Sequence, residues 1–402
     1  MSSYQEWPLP LNPPNPYSTY LHSLAPVRPK DRRVYYTKYI LGVIGELGVT
    51  SAVDNVREWT FPSQLYTSTM TGGMANLIRL ERQPGSDFEF WCLLQDYHGA
   101  LIHFDIRNGL FTRYTTRVAG SPLIVPQDLK IDEKGNVWFI GTSGRPGNFV
   151  SAICRFEPKV NAVVSWPVPD KVMRNLLSIC PDSTGSKVWV SSVDPNLNAA
   201  PAWIGCLDVA TSTFIHYTPP NPQQYPPRSI DIVLMEKDSV WFTAGKSSWA
   251  VLPVNNVVPG IYRLDLKSNQ FSRFITDPIA SWPRYITLDP KGSAWVTDIN
   301  FSSIVNCVPS QTCGTTQFTV GHLKLKPSET KLVAREFPVE PVVSTSKPRN
   351  DSVAVKQYRC AMEYMAGGMY CPDQIQLQLT SKGAGRLYFV CFGANKIGML
   401  QP

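Results

Sequence analysis

The sequence has few charged residues and no run of basic ones. Charged side chains make up 17% of the 402 residues, and the formal net charge of +7 is spread along the chain. No zinc-finger spacing or RNA-binding sheet motif accompanies these charges, so we expect no nucleic-acid partner. No apolar stretch approaches the ~20 residues that cross a bilayer, which predicts that the chain has no membrane span.

The amino terminus also lacks the basic and apolar regions of a signal peptide. Two pairs of cysteines nevertheless lie in irregular segments where loop disulfides can form, namely Cys307 with Cys313 and Cys360 with Cys371. Glycosylation sequons begin at Asn300 and Asn350. Together these features favour a secretory protein whose leader has been removed, and a cytoplasmic protein is the alternative. The other cysteines fall in strand-like runs that predict buried thiols: Cys92, Cys154, Cys180, Cys206 and Cys391.

Local metal-binding motifs are missing as well. The sequence contains no CxxC, HxH or HExxH spacing. We therefore predict no cofactor and no metal site. Calcium or magnesium held by residues scattered over several repeats would leave no local motif, so either ion stays open as an alternative.

What the sequence does contain is a repeat. A hairpin turn followed by an aromatic strand occurs at residues 132–139 and recurs along the chain. An alternating strand, a polar turn and a second alternating strand then follow, as in residues 261–274. Two hairpins per repeat predict a four-stranded unit, and six units predict an all-β, six-bladed β-propeller of antiparallel blades. The six aromatic markers are Trp91, Trp138, Trp189, Trp241, Trp295 and Tyr388.

Closure of the propeller is predicted from the two ends of the sequence. The last repeat stops after one strand of its second hairpin, which contains Ile397. The strand around Trp59 resembles residues 334–338, the outer strand predicted for the fifth repeat, so we expect it to pair beside Ile397 and remove an open edge. Residues 1–55 then form a proline-rich arm or cap, and residues 56–402 form the propeller. Residues 340–372 are interpreted as an insertion before the last blade.

Residues 387–398 resemble the blade signature of streptogramin (virginiamycin B) lyases, and the likeness extends over residues 56–402. The resemblance implies a six-bladed propeller related in shape to gluconolactonase-type hydrolases. It also implies a lyase site with histidine, glutamate and magnesium. In those lyases Thr-Glu usually follows the aromatic pair. Here the corresponding positions are Leu94, Gly141, Ser192, Ala244, Asp298 and Cys391, and only Asp298 is acidic.

Candidate site residues lie where the inner strands begin, at one end of the predicted channel. Arginines there would bind a carboxylate, an enolate or a polarised carbonyl, while aromatic rings stack on a planar ligand. The candidate catalytic residues are Arg284, Tyr285, Arg228, Arg174 and His98. The candidate substrate-binding residues are Trp282, Gln127, Asn175, Asp373, Gln374 and Asp298. In the structural alternative, the arginines bridge neighbouring blades through Asp128, Asp231 and Asp373.

Three functions fit this site, each with a small-molecule or other ligand in the channel. The first is metal-independent cyclisation of the hetero-Diels–Alder type, because orientation alone can contribute up to ~7–11 kcal/mol. This reading resembles the fungal hetero-Diels–Alderases of tropolone–sesquiterpenoid biosynthesis. The second is a metal-assisted lyase or lactonase that uses Asp298, Asp373 or His98, and the third is a non-catalytic binding propeller. The substrate and the oligomeric state stay open.

Overall fold

The computed structural model is built from β-strands, and no helix occurs among the residues it describes. None of these residues therefore forms a helix that could span a membrane. The chain divides into two compact units, one of residues Met1–Tyr114, Thr287–Asn306 and Ala334–Pro402, the other of residues Thr115–Ile286 and Cys307–Val333. The described residues are 3–10, 21–38, 42–49, 54–62, 76–95, 99–116, 125–145, 148–173, 175–192, 202–218, 233–236, 238–244, 260–274, 283–290, 292–298, 303–307, 314–317, 319–346, 358–359, 371–378, 385–392 and 395–401.

The strands are short, as expected for a repeated sheet. In chain order they are β1 (Ser3–Pro8), β2 (Leu21–Leu24), β3 (Arg33–Lys38), β4 (Val43–Gly48), β5 (Asp54–Thr60), β6 (Asn76–Arg82), β7 (Glu89–Gln95), β8 (Ala100–Asp105), β9 (Leu110–Thr115), β10 (Val125–Ile131), β11 (Val137–Arg145), β12 (Asn148–Glu157), β13 (Ala162–Val168), β14 (Leu176–Pro181), β15 (Lys187–Ser192), β16 (Ile204–Asp208) and β17 (Thr213–Thr218). They continue with β18 (Val233–Glu236), β19 (Ser239–Ala244), β20 (Gly260–Asp265), β21 (Gln270–Phe274), β22 (Pro283–Leu288), β23 (Ala294–Asp298), β24 (Ser303–Cys307), β25 (Gly314–Gln317), β26 (Thr319–Lys324), β27 (Ser328–Lys331), β28 (Ala334–Pro338), β29 (Val342–Ser346), β30 (Tyr358–Arg359), β31 (Cys371–Gln378), β32 (Arg386–Phe392) and β33 (Lys396–Gln401).

The strands of the described chain group into seven sheets. Sheets 1 to 5 are built on β2–β5, β6–β9, β10–β13, β14–β17 and β18–β21; sheet 6 contains β22–β24 with β30, and sheet 7 contains β31–β33 with β1. The six aromatic markers lie in six different sheets, sheets 2 to 7, so each predicted repeat is present as a sheet.

One further sheet, sheet 1, lies where the sequence predicted an arm or cap. Residues 21–60 form its four antiparallel strands, so the assignment of residues 1–55 to an arm is wrong. This sheet has a tyrosine pair, Tyr35 and Tyr36, in its second strand instead of a tryptophan. A search for tryptophan markers therefore passes over it.

The first and last strands of the chain pair with each other. Trp7 in β1 lies opposite Ile397 in β33, in an antiparallel register. Trp59 lies in β5 opposite Ile44 of β4, so the predicted pairing of Trp59 with the Ile397 strand is wrong. Glu-Trp occurs in both β1 and β5, so the sequence alone does not show which of the two strands completes sheet 7. In the structure that strand is β1.

Residues 314–346, called the strap below, form five strands that each join an earlier sheet as its fifth strand. β25 pairs with β21, β26 with β17, β27 with β13, β28 with β9 and β29 with β5. Residues 320–323 and 334–338 were predicted as strands of the fifth repeat, but they belong to sheets 4 and 2. The predicted insertion at residues 340–372 therefore covers only the end of a longer segment that returns to the earlier sheets.

Buried aromatic residues fill the space between sheets within each unit. Between sheets 1 and 2, the ring of Trp59 lies 5.4 Å from that of Phe104 and the ring of Phe61 lies 5.3 Å from that of Phe111. Each such side chain contributes about 1.5–3 kcal/mol by leaving water. Four of the predicted buried thiols are confirmed: Cys92, Cys154, Cys180 and Cys206.

Candidate functional site

The first strand of several sheets is interrupted by a β-bulge. A bulge bends a strand and turns one side chain away from the regular alternation, and bulges are frequent beside active sites. The five register shifts lie at Leu21/Ser23 in β2, Ile78/Glu81 in β6, Pro126/Asp128 in β10, Leu176/Ser178 in β14 and Pro372/Ile375 in β31. Three predicted site residues, Gln127, Asp373 and Gln374, are bulge residues.

The bulges present one half-buried side chain between buried neighbours. This holds for the four bulges whose side chains are described: His22, Arg79, Gln127 and Leu177. The residues before and after each of them are buried. Each of these four bulges therefore leaves a single side chain partly exposed, whereas its neighbours are buried in the core.

In the first unit, a hydrogen bond brings two bulges together. The amide of Leu80 in β6 donates to Ser23 Oγ in β2 over 3.2 Å. Ser23 follows His22 in β2, and Leu80 follows Arg79 in β6. The bond therefore joins the two bulges that carry this imidazole and this guanidinium. This pair is the core of the candidate site.

The backbone at Arg79 is held in an unfavourable conformation. Its φ is +53°, in the left-handed region, whereas the other described non-glycine residues in that region are asparagines and one serine. A long side chain at positive φ costs on the order of 1–3 kcal/mol and persists only where its surroundings enforce it. The buried Leu80 amide bond and the bulge enforce it here, so the backbone of Arg79 is fixed.

The same unit contains a third bulge, in β31. Asp373 and Gln374 lie between the shifted pairs of β31, and the side chain of Gln376 in that strand donates to the Leu24 carbonyl of β2 over 3.4 Å. β31 therefore runs beside β2. The side chains of Asp373 and Gln374 lie outside the described part of the chain.

In the second unit, Asp128 joins neighbouring sheets. Its carboxylate is buried and accepts hydrogen bonds from Ser178 Oγ at 3.1 Å and from the Ile179 amide at 3.0 Å. The structural alternative gave this aspartate an arginine partner, whereas these two hydrogen bonds come from a serine and a backbone amide. Gln127, next to it, is half-buried, and Asn175 precedes β14 with φ of +49°.

Arg284 and Tyr285 begin β22, also in the second unit. The guanidinium of Arg284 lies 5.2 Å from the centre of the Tyr285 ring, and Tyr285 is only 4% exposed. Thr243 Oγ1 donates to the Arg284 carbonyl over 2.8 Å, which fixes the start of the strand to sheet 5. Of this pair, the half-buried Arg284 is the group that a ligand can reach.

The other predicted site residues cannot be compared with the structure. Those outside the described residues are Arg174, Arg228, His98, Trp282, Cys313, Cys360, Asn300 and Asn350. Asp298, Cys307, Cys371 and Cys391 lie in strands, but their side chains are not described. Within the described ranges, no three His, Cys, Asp or Glu side chains are grouped so that they could hold a metal ion.

Two residues of the candidate site were missed in the sequence. His22 falls in the segment predicted as a proline-rich arm, and Arg79, inside β6, is not among the residues that the sequence predicts for the site. A bulge breaks the two-residue alternation, so the pattern gives no sign of which side chain it turns outward. The signal that was available is a polar residue within an apolar run, as in Leu21-His22-Ser23-Leu24.

Comparison with known proteins gives a fold and no sequence family. No family model matches the chain, and no curated protein matches it. Selenomethionine-substituted virginiamycin B lyase from Staphylococcus aureus is 16% identical, with a TM-score of 0.60 over 100% of both chains. A catalytically inactive histidine-to-alanine variant of that enzyme with quinupristin is 16% identical to this chain, with a TM-score of 0.61 over 100% of both chains. A streptogramin B lyase structure is 16% identical, with a TM-score of 0.59 over 100% of this chain and 97% of that chain.

These similarities establish the class of fold. The chain is an all-β propeller protein. More narrowly, its fold is similar to that of virginiamycin B lyases, which the signature at residues 387–398 predicted.

Proposed function

We propose that the chain is a lyase-type enzyme that acts on a small molecule bound at the bulges of β2, β6 and β31. The observation that carries the proposal is the Leu80–Ser23 hydrogen bond, since it joins the bulge that contains His22 to the bulge that contains Arg79. The similarity to streptogramin B lyases supports it, as does the inactivity of one such enzyme after a histidine was replaced. The hetero-Diels–Alder cyclisation favoured from the sequence has no support among these relatives in fold, which are lyases.

The chemistry of the pair suits elimination across a carbon–oxygen bond. His22 takes a proton from carbon, because a neutral imidazole is a competent base near neutral pH. The electrons of that C–H bond form a carbon–carbon double bond, and the C–O bond breaks to release a carboxylate or alkoxide. Arg79, which is charged at any physiological pH, stabilises the negative charge that develops on the adjacent carbonyl oxygen.

The residues at these bulges do not fit the magnesium ion that the lyase resemblance implies. Magnesium is held mainly by carboxylate and other oxygen ligands. The two bulges whose side chains are described supply an imidazole and a guanidinium, and no carboxylate. A fixed guanidinium disfavours a second cation beside it. We therefore assign no step to a metal.

The test is turnover of a panel of cyclic esters that includes quinupristin, followed by mass spectrometry. Elimination opens a cyclic ester without a change in mass, whereas lactonase activity adds one water. We expect His22→Ala and Arg79→Met to lower kcat/KM by at least about a hundredfold, as loss of a general base or of a charge-stabilising donor does. The exposed His322 is the control, and His322→Ala should keep the wild-type rate.

Two results would reject the proposal. A product heavier by one water would identify a hydrolase instead. Binding of the esters without any product would identify a binding protein. Unchanged melting temperatures of the two variants are required, because a bulge substitution that unfolds the sheet would lower turnover for a trivial reason.

A further inference from the structure

The strap carries a seven-residue repeat. Leu325, Leu332 and Val339 follow one another at intervals of seven. Their backbone amides donate to the carbonyls of Ser212 at 2.9 Å, Asn161 at 2.7 Å and Gly109 at 2.8 Å, respectively. One repeat of the strap therefore corresponds to one sheet.

The three acceptors occupy the same place in their sheets. Each lies in the turn between the third and fourth strands, and each has positive φ: +51° at Ser212, +53° at Asn161 and +63° at Gly109. The left-handed conformation is unusual for serine and asparagine and ordinary for glycine. A shared turn geometry thus presents one carbonyl per sheet to the strap.

A lysine precedes the leucine in two of the three repeats, and its ammonium group uses the neighbouring carbonyl of the same turn. Lys324 Nζ donates to Thr211 O over 2.7 Å, and Lys331 Nζ donates to Val160 O over 2.9 Å. Two successive carbonyls of the turn therefore receive the Lys-Leu pair. Hydrogen bonds from a charged donor are stronger than those between neutral groups. The lysine contacts therefore favour this pairing register of the strap over registers shifted along the sheet edge.

The leucines are the buried part of each pair. Leu325 is 7% exposed and Leu332 is 6% exposed, whereas Val333, directly after Leu332, is 67% exposed. Leu325 and Leu332 are thus buried, whereas Lys324, Lys331 and the intervening Glu329 are exposed. Between the two leucines, Ser328 contacts Ser165 of sheet 3 through their hydroxyls at 2.9 Å.

We propose that the third-to-fourth strand turns of sheets 3 and 4 are peptide-binding sites for a Lys-Leu pair, with the adjacent sheet edge taking the rest of the segment as an extra strand. The occupant is this chain's own strap. The recognition combines main-chain pairing with one Lys-Leu contact per turn, as in other cases of strand addition. Sheet 2 has the same turn but receives Pro338-Val339, so its site lacks the ammonium contact.

The first test compares adjacent positions in the full-length chain. Leu332→Ser removes a buried anchor, and Val333→Ser removes an exposed side chain next to it. We expect Leu332→Ser to speed trypsin cleavage after Lys324 and Arg335 by about tenfold, because cleavage follows the population of locally opened chain. Val333→Ser should be cleaved at the wild-type rate. Equal rates for the two variants would overturn the proposal.

The second test supplies the segment from outside. A labelled peptide of residues 319–333 is added to the full-length chain carrying both Leu325→Ser and Leu332→Ser, and fluorescence anisotropy reports binding. We expect saturable binding to this variant, little binding to the wild-type chain, and none by a peptide with both leucines replaced by serine. Absence of binding to the variant, or equal binding of both peptides, would overturn the proposal.

The turn itself can be tested in sheet 2 with two glycines. A Cβ at Gly109 would collide with the carbonyl oxygen of Val339, whereas nothing lies within 4 Å of a Cβ at Gly85. Both residues have positive φ, so alanine strains both turns alike. Amide exchange at Val339 should accelerate in Gly109→Ala and stay unchanged in Gly85→Ala. The same acceleration in both variants would attribute the effect to backbone strain alone.

Discussion

Lys38 and Glu58 form an ion pair inside sheet 1. Their side chains are 1% and 5% exposed, and Nζ lies 2.6 Å from Oε1. Tyr36 donates its hydroxyl to the same carboxylate over 2.5 Å, and Lys38 also donates to the Pro10 carbonyl over 2.9 Å. Burial lowers the pKa of Lys38, an effect opposed by Glu58, and raises the pKa of Tyr36. The cluster ties two strands of sheet 1 to the segment that follows β1.

Neutralising Glu58 in this buried pair should lower the free energy of unfolding far more than neutralising the carboxylate of an exposed ion pair. Glu58→Gln leaves the Lys38 ammonium buried without its counter-ion, and we expect a loss of about 3–5 kcal/mol in the free energy of unfolding. Asp238→Asn is the control, because Asp238 and its partner Lys267 are 50% and 75% exposed, and loss of this pair should cost about 1 kcal/mol or less. Urea denaturation measures both, and equal losses would contradict this account.

At the scale of elements, a histidine couples β26 of the strap to β17 of sheet 4. His216 lies opposite Gly321, and a Cβ at position 321 would collide with the imidazole ring. Burial lowers the pKa of His216, and the nearby His322 lowers it further. The His216 ring is thus held neutral against a glycine that leaves room for it.

Acidification should therefore loosen this strand pair. A histidine whose folded-state pKa lies below its ordinary value of about 6.5 stabilises the fold above that value, and the contribution is lost as the pH falls through it. We expect amide exchange in β26, corrected for the intrinsic effect of pH, to increase between pH 7.5 and pH 5. His216→Phe should abolish the increase. An unchanged pH dependence in that variant would assign the effect to another group.

How far the sequence predicts these elements depends on how local their signals are. A turn followed by Val-Trp-Phe is a local pattern, and the sheets with such markers were found. The strap strands pair with partners up to about 290 residues away, and nothing in an alternating run such as residues 319–324 names its partner. Gln127 and Arg284 lie in the first strands of sheets 3 and 6. The bulges were missed for a related reason, because tertiary hydrogen bonds such as Leu80–Ser23 decide where a bulge forms.

At the scale of the whole molecule, β1 completes the last sheet. Trp7 is 2% exposed and packs in a cluster with Tyr388 and Ile397. Asn395 donates from its side chain to the carbonyls of Leu9 at 2.8 Å and Pro10 at 3.1 Å, and its own carbonyl accepts from the Leu9 amide at 2.9 Å. The amino-terminal strand is thus held by packing on one side and by a hydrogen-bonded asparagine at its end.

Loss of Trp7 should both destabilise the protein and uncover an edge. We expect Trp7→Ala to cost about 3–5 kcal/mol, the usual range for a buried aromatic residue. The freed edge of β33 should then promote self-association. Phe88, which is 47% exposed, is the control, and Phe88→Ala should cost less than about 1 kcal/mol. Urea denaturation and light scattering measure the two effects, and a monodisperse Trp7→Ala protein would contradict the second.

The pairing of β29 with β5 has a consequence for how the chain is made. A ribosome adds ~5–20 residues per second, so β5 waits on the order of tens of seconds for the strand that covers it. During translation the growing polypeptide carries unpaired backbone along several sheets at once, and its many long-range contacts slow folding further. Production of this protein should therefore depend on chaperones that hold nascent chains, and on slow synthesis at low temperature, more than its finished stability suggests.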